Sequence, residues 1–145
     1  MLYTGNMAVY HSSIEKVGGF DERLGPGTAF PAAEDNDFGL RLLEAGYRIA
    51  YVPQAVIYHR AWRSERDHIR LRWNYARGQG AFYAKHLSLR DHYILGRLVK
   101  GVKDHAVQCV RRAKHDRNLA HGDAMYILGL LSGVVQWLLT QRTSR

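Results

Sequence analysis

Several kinds of residue and motif are scarce in this sequence of 145 residues. Its single cysteine, Cys109, excludes a disulfide within the chain and is compatible with a reducing compartment. The first residues lack the basic and apolar segments that are typical of a secretory signal peptide. No Cys/His zinc pattern, P-loop or Gly-x-Ser-x-Gly motif is present. The sequence therefore offers no motif for a zinc module, a P-loop nucleotidase or a serine hydrolase.

Charge is distributed unevenly along the chain. Residues 1–60 contain 5 Lys and Arg against 7 Asp and Glu, whereas residues 61–145 contain 16 against 6, a net charge of +10. A basic part of this kind favours an anionic neighbour, such as membrane headgroups, nucleic acid or a phosphorylated substrate. We expect no nucleic acid partner, because the aromatic residues interleaved with Arg in residues 64–86 are better explained by packing against the domain or by a membrane interface.

The most informative stretch is Glu34-Asp35-Asn36-Asp37-Phe38, which follows a loop of Gly, Pro and small residues. The apolar residues from this point repeat at helical spacing: Phe38, Leu42 and Ala45. The pattern predicts a helix at about 34–45 that ends at Gly46, with Asp37 and Arg41 forming an ion pair one turn apart. Acidic residues in a first turn are favoured by the helix dipole. A carboxylate at the mouth of a helix equally suits a general base, and the local pattern leaves both roles open.

Other segments on both sides of this helix read as strands. Residues 2–10 have the pattern of a buried strand interrupted by Gly5-Asn6, where a glycine is typical of close approach by a ligand or another backbone, or of a simple bulge. Residues 47–52 alternate between apolar and polar side chains, and residues 55–58 form a second short apolar run.

The remainder of the chain has helical patterns at residues 64–86, 88–118 and 124–139. The second is amphipathic and basic, which suits an anionic bilayer surface or an acidic partner. The third is strongly apolar but short for a membrane span, which needs about 20 residues. Its Gly129 and Gly133 form a Gly-xxx-Gly pair that allows close helix contact. We expect this helix to lie against the domain or in a membrane interface, with a spanning helix as the alternative.

The order of these motifs resembles a known family. Before the acidic stretch stand Gly5-Asn6-Met7-Ala8 and Val17-Gly18-Gly19-Phe20-Asp21-Glu22, and after it stand Gly46-Tyr47-Arg48-Ile49, Pro53 and His59. This succession resembles the second half of the catalytic domain of family 2 glycosyltransferases, which are inverting enzymes of the GT-A fold. The resemblance implies an α/β fold: residues 1–62 would be the C-terminal part of a Rossmann-like nucleotide-diphospho-sugar transferase domain, and residues 63–145 a basic helical extension.

The resemblance also implies catalytic roles in the acidic stretch. Asp35 would be the base that removes the proton of the acceptor hydroxyl. Glu34 is the next candidate for the base, or it would orient a hydroxyl of the donor or acceptor.

Further residues would contact the substrate. Gly5 and Asn6 would lie beside the sugar-binding cleft. His59 would ligate the divalent cation, Mn²⁺ or Mg²⁺, that holds the nucleotide diphosphate, although a histidine at a strand end is also typical of a structural hydrogen bond. Arg60 would contact phosphate oxygens, with solvated surface charge as the simpler interpretation.

The implied reaction is the inverting transfer of a sugar from a nucleotide-diphosphate donor to a hydroxyl of a saccharide or lipid-linked acceptor. No Asp-x-Asp metal motif stands before Gly5, so we expect the chain alone to transfer little or no sugar. We expect a cytoplasmic location, peripheral on the inner face of the membrane. The alternative is a non-catalytic membrane-associated or protein-interaction module, which the +10 second part and the apolar last helix would also suit.

Overall fold

A computed structural model describes residues 4–58, 67–88 and 92–143. A short turn of 3-10 helix, Thr4–Asn6, comes first. The α-helices that follow are α1 (His11–Val17), α2 (Glu34–Glu44), α3 (His68–His86), α4 (His92–Arg112) and α5 (Arg117–Thr143). The helix predicted at about 34–45 is confirmed as α2, and α3, α4 and α5 lie within or across the three helical patterns of the second part.

The predicted α/β fold is wrong for the part of the chain that the structure describes, because no β-strand occurs there. Gly5-Asn6 belongs to the 3-10 turn, and residues 47–58 form no ladder. The one bridge found among the described residues joins Leu24 to Phe30 within a loop. These residues therefore do not form half of a GT-A sheet.

The failure of the strand prediction has a physical reason. An alternating sequence pattern indicates which side chains would share a face of a strand. A strand also needs a neighbouring backbone that pairs with its N–H and C=O groups. Residues 47–58 instead make local turns, in which the Ala55 N–H donates to the Val52 carbonyl at 3.0 Å. From residue 49 to residue 58 the apolar side chains are exposed, with Tyr51 at 88% and Tyr58 at 98%.

The second part is held together by close contact between α3 and α5. Gly80 of α3 lies against the Leu130 carbonyl, and Gly133 of α5 lies against the Arg77 carbonyl, where any Cβ would overlap the facing backbone. A Cβ on Gly129 would stand 2.7 Å from the Trp73 carbonyl oxygen. The predicted use of Gly129 and Gly133 for close helix contact is confirmed.

Helix α5 is longer than the apolar stretch that predicted it. Between Arg117 and Gln141 it is long and apolar enough to cross a membrane, judged by length and composition, with a mean hydropathy of 1.4. In the structure it packs along α3, and Leu130 and Trp137 are buried. The packed arrangement is one of those expected from the sequence.

The core joins the first part of the chain to these helices. One cluster centres on Tyr83 and Leu130 and includes Ala33, just before α2. A second cluster brings Leu24 and Phe30 against Trp137 of α5, with the Phe30 and Trp137 ring centroids 5.4 Å apart. The loop before α2 is thereby seated on α3 and α5, which determines where α2 begins.

Candidate functional site

The backbone that leads into α2 is held in a defined path. The Gly25 N–H donates to the Phe30 carbonyl at 2.9 Å and closes the loop. Ala33, with φ of 74°, then takes a left-handed conformation directly before Glu34. On the other side Gly78 of α3 leaves room for this backbone, since a Cβ there would lie 2.6 Å from the Ala32 nitrogen. The start of α2 is therefore fixed by backbone contact with α3.

Asp35, the predicted base, lies in the first turn of α2 and is partly exposed. One of its oxygens, Oδ1, accepts a hydrogen bond from the Asn36 N–H at 2.9 Å. Asn36 in turn donates from Nδ2 to Oε1 of Gln79 on α3 at 2.9 Å. Within the described residues Asp35 makes no ion pair. Asn36 thus ties the first turn of α2 to α3, and Asp35 beside it is partly exposed.

Glu34, the second predicted catalytic residue, is also partly buried and lies over the loop. A Cβ added at Gly25 would come within 3.1 Å of the Glu34 carboxyl carbon, and Gly25 has a φ of 106°. A larger residue at position 25 would displace the Glu34 side chain. Glu34 and Asp35 are therefore neighbours in sequence that contact different parts of the structure.

Asp37, the third carboxylate of this stretch, is fully buried. Its Oδ2 lies 2.9 Å from Arg41 Nε, which confirms the predicted ion pair. Its Oδ1 lies 2.6 Å from Lys85 Nζ and 2.7 Å from His86 Nε2, both at the end of α3. Burial raises the pKa of Asp37, but the hydrogen bonds from His86, Lys85 and Arg41 outweigh it and lower the pKa to about 2.

The cluster around Asp37 extends to the end of α1. Lys85 Nζ also lies 2.8 Å from Oδ2 of Asp21, and Arg23 binds the same carboxylate at 2.8 Å. The hydrogen bond from Arg23 is the largest cause that holds the pKa of Asp21 well below its usual value, with Lys85 adding to it. Arg41 donates to the carbonyl oxygens of Val17 at 2.5 Å and Gly19 at 2.6 Å. One set of ion pairs therefore joins α1, α2 and α3.

Sequence reasoning missed Lys85 and His86 as partners of Asp37. They lie 48 and 49 positions further along the chain, so no local spacing relates them. The sequence carries no signal that Asp37 is buried, and it is the burial that makes basic partners from another element necessary.

Gly5 and Asn6, which the resemblance places beside the sugar-binding cleft, lie against residues 55–57. Asn6 is exposed and donates from Nδ2 to the Ala55 carbonyl at 2.7 Å, and a Cβ on Gly5 would lie 3.8 Å from Ile57 Cδ1. Among the described residues no hydrogen bond joins Gly5 or Asn6 to the acidic stretch. His59 and Arg60 lie outside the described residues, so their predicted roles stay predictions.

A divalent cation is implied by the family resemblance, and a site for it needs several carboxylate or imidazole ligands close together. The described ranges contain no group of three or more His, Cys, Asp or Glu side chains that could hold a metal ion. Asp37 is already surrounded by three basic side chains. The described residues alone do not fit a metal site.

A second buried carboxylate, Asp123 of α5, was also missed from the sequence. It is fully buried and lies 2.6 Å from Arg72, 2.9 Å from His105 and 2.9 Å from Arg112. Burial raises the pKa of Asp123, whereas hydrogen bonds from His105, Arg72 and Arg112 lower it below its usual value. This cluster joins α3, α4 and α5 and contains no accessible carboxylate, so we interpret it as structural.

Comparison with known proteins identifies the family. Residues 1–140 match the model described as Glycosyl transferase family group 2. The chain is similar to the N-acetylglucosaminyl-diphospho-decaprenol L-rhamnosyltransferases of Mycobacterium tuberculosis strains CDC 1551 / Oshkosh and ATCC 25618 / H37Rv. Each is 44% identical over 62 residues, which cover 42% of this chain and 19% of the relative.

No solved structure matches the chain. The matched segment spans about a fifth of the length of these curated relatives. The family predicted from the order of motifs is confirmed, because the match covers almost the whole sequence. This chain belongs to Glycosyl transferase family group 2.

Proposed function

We propose that this chain carries the base of an inverting glycosyl transfer and that Asp35 is this base. One observation supports the choice among the three carboxylates at the start of α2. Asp37 is buried and neutralised by Arg41, Lys85 and His86, whereas Asp35 is partly exposed and has no ion pair within the described residues. A base must reach the proton that it removes, and Asp37 is occupied by its partners.

The proposed step uses the Asp35 carboxylate as a proton acceptor. The carboxylate takes the proton of the acceptor hydroxyl while the hydroxyl oxygen attacks the anomeric carbon of the donor. The bond between that carbon and the diphosphate oxygen breaks, its electron pair stays on the diphosphate, and the configuration at the carbon inverts. Glu34 would orient a hydroxyl of the donor or acceptor.

The Asp37 cluster would position the base without touching substrate. It ties the first turn of α2 to the end of α3 and to the end of α1 through Lys85 and Arg41. A base on a helix that is fixed at its first turn keeps its geometry between substrate binding and proton transfer.

The substrate class is proposed from the relatives. Their name supports an L-rhamnosyl donor, as a nucleotide-diphosphate sugar, and a polyprenyl-diphosphate-linked saccharide acceptor as the first pair to assay.

The 62 matched residues are 19% of those proteins, which supports our proposal that the chain alone transfers little or no sugar. Transfer by the 145-residue chain should therefore be compared with transfer by any polypeptide that extends the reading frame upstream. Equal transfer by the two polypeptides would contradict the proposal that the chain alone transfers little or no sugar.

The base assignment is tested by Asp35→Asn in the polypeptide that shows transfer. We expect kcat to fall at least about 100-fold, the usual contribution of a general base, while the melting temperature stays unchanged. Glu44→Gln removes the same charge from the exposed last turn of α2 and is the matched control. Near-normal turnover of Asp35→Asn would exclude Asp35, and a comparable loss in Glu34→Gln alone would assign the base to Glu34.

The second candidate function is membrane association, which the net charge of +10 in residues 61–145 supports. A location on the cytoplasmic face of a membrane would suit the basic second part, because that leaflet carries a negative surface potential. Flotation of the chain with lipid vesicles tests this candidate. A chain that remains in the dense fractions with every vesicle composition would exclude it.

A further inference from the structure

Helix α4 has one wide apolar sector, and only one side of it is used in the core. Ile94 is buried, and Leu98 and Val102 pack against the main cluster. The other side of the sector contains apolar residues at spacings of four, seven and four, which lie within about 60° of one another around the helix: Leu95, Val99, Ala106 and Val110. Leu95 is 42% exposed, Val99 58% and Val110 73%. We call these four residues the outer stripe of α4.

Basic side chains accompany the outer stripe. Helix α4 contains five Lys and Arg against one Asp. Two of the five are neutralised, because Lys100 pairs with Asp104 and Arg112 with Asp123. Lys103 and Arg111 are exposed and form no ion pair with an acidic residue in the part of the chain that the structure describes. Around the helix Lys103 lies about 20° from Val110, at one edge of the outer stripe. Arg111 lies about 100° from Val110 on the same side, and its long side chain can extend toward the headgroup level.

Helix α5 provides the comparison. Its exposed face is also apolar, with Leu128, Leu131 and Val135 each about half exposed. No Lys or Arg occurs between Arg117 and Arg142, however, so this face has no cation to offer a phosphate group. Its opposite side is in backbone contact with α3 through Gly129 and Gly133. If α5 left α3 to cross a bilayer, the buried Asp123 would have to separate from Arg72 of α3.

We propose that α4 binds the chain to an anionic lipid bilayer and lies in the plane of the interface. The outer stripe enters the boundary between headgroups and acyl chains, and Lys103 and Arg111 contact lipid phosphates. The occupant of this surface is a membrane because an apolar stripe beside unpaired cations matches the chemistry of that boundary. This inference rests on the membrane association proposed above and specifies the surface and the headgroup charge. It is independent of the role of Asp35.

Flotation with vesicles of phosphatidylcholine, alone or mixed with phosphatidylglycerol, tests the inference. The native chain should partition into the mixed vesicles and only weakly into phosphatidylcholine. The double variant Lys103→Gln with Arg111→Gln should lower partitioning into the mixed vesicles about 30-fold, given the usual effect of a basic residue at an anionic surface. Lys16→Gln with Arg48→Gln makes the same charge change at exposed positions outside α4 and should bind like the native chain.

The apolar contribution is tested with Val99→Asn and Val110→Asn together. Both positions are exposed and the two residue types have similar helix propensity, so the fold should be retained. Partitioning should fall at least tenfold. The matched control is Leu131→Asn with Val135→Asn on the exposed face of α5. Loss of binding in this control, with normal binding of the α4 variants, would overturn the assignment to α4.

Two further outcomes separate the remaining explanations. Failure of the native chain to float with either vesicle would overturn membrane association together with this inference, and would leave the proposed transfer chemistry untouched. A lipid-free dimer, seen by light scattering, that dissociates in the Val99 and Val110 variant would assign the outer stripe to a second copy of the chain and overturn the inference. Environment-sensitive fluorophores at Val99→Cys and Leu128→Cys, each in a Cys109→Ser background, should shift to the blue with mixed vesicles at position 99 alone.

Discussion

The two parts of the described chain use their apolar residues in different ways. In residues 67–88 and 92–143, long helices cover one another, and buried glycines bring α3 and α5 into backbone contact. In residues 4–58, two helices are joined by irregular segments, and the apolar side chains of residues 49–58 are exposed. A helix satisfies its backbone groups internally and needs a partner only for its side chains, whereas a strand needs one for both. The difference explains why the first part contains so little regular structure.

Each part nevertheless contains one fully buried aspartate with three basic partners. Asp37 joins α2 to α3, and Asp123 joins α5 to α3 and α4. The two clusters serve different purposes in our interpretation. Asp123 sets the relative positions of helices that already share a large apolar core, whereas Asp37 ties a region with little core of its own to that framework. Asp35, which is partly exposed, lies two residues before Asp37. A base at this position is supported by the ion pairs that tie Asp37 to α3.

The largest expected effect comes from filling the contact between α3 and α5. Gly133→Val places a branched side chain where the Arg77 carbonyl already lies. Because backbone on both helices must move, we expect a loss of about 3 kcal/mol or more in the free energy of unfolding, measured by urea denaturation followed through helical circular dichroism. Gly96→Ala, at a helical glycine with nothing within 4 Å of the added Cβ, is the control and should be neutral or stabilising.

An unfolding midpoint for Gly133→Val close to that of the native chain would mean that α3 and α5 do not touch as described. The contrast between a tightly packed second part and a loosely packed first part would then be lost.

Helix positions and short-range pairs were predictable from this sequence. The spacing of Phe38 and Leu42 indicated α2, and the interval of four residues indicated the pair of Asp37 with Arg41. The interval from Gly129 to Gly133 likewise indicated close helix contact. All three depend on distances along one helix, which sequence specifies directly.

Contacts between distant segments were not predictable. The partnership of Asp37 with Lys85 and His86 requires knowing that the end of α3 lies beside the start of α2. Residues 47–52 alternate and residues 55–58 form a short apolar run, but the strands that these patterns predict are not formed among the described residues. The implied functional residues divide in the same way: Asp35 and Glu34 are together at the start of α2, whereas Gly5 and Asn6 contact residues 55–57.

Acidification is expected to have an intermediate effect on the free energy of unfolding, because it protonates Asp37, which ties residues 4–58 to α3. The pKa of Asp37 falls from its ordinary value of 3.8 to about 2 in the folded chain. A carboxylate with a depressed pKa stabilises the fold fully above its unfolded pKa, and this contribution is lost as the pH falls from about 4 to about 2. We expect it to amount to roughly 2 kcal/mol, since each pKa unit corresponds to about 1.4 kcal/mol. Urea denaturation at a series of pH values measures it.

Asp37→Asn should flatten the part of this acid dependence that arises from Asp37, and it should leave α3 and α5 protected in hydrogen exchange while exchange in α1 and α2 accelerates. Asp104→Asn is the control, because Asp104 forms an exposed pair with Lys100. If Asp37→Asn left exchange of α1 and α2 unchanged, the buried carboxylate would not be what anchors the first part to the helices.

The smallest expected effect is at the exposed aromatic residues of the first part. Tyr51→Ser and Tyr58→Ser remove side chains that are 88% and 98% exposed, so each should change the free energy of unfolding by less than about 0.5 kcal/mol. Leu130→Ala, at a residue 1% exposed in the second part, should cost about 2–5 kcal/mol in the same urea titration. A cost above about 1 kcal/mol for either tyrosine would exceed what a solvated side chain contributes. It would mean that residues 47–58 pack against other residues in solution. The two parts would then differ in what they pack against and not in how closely they pack.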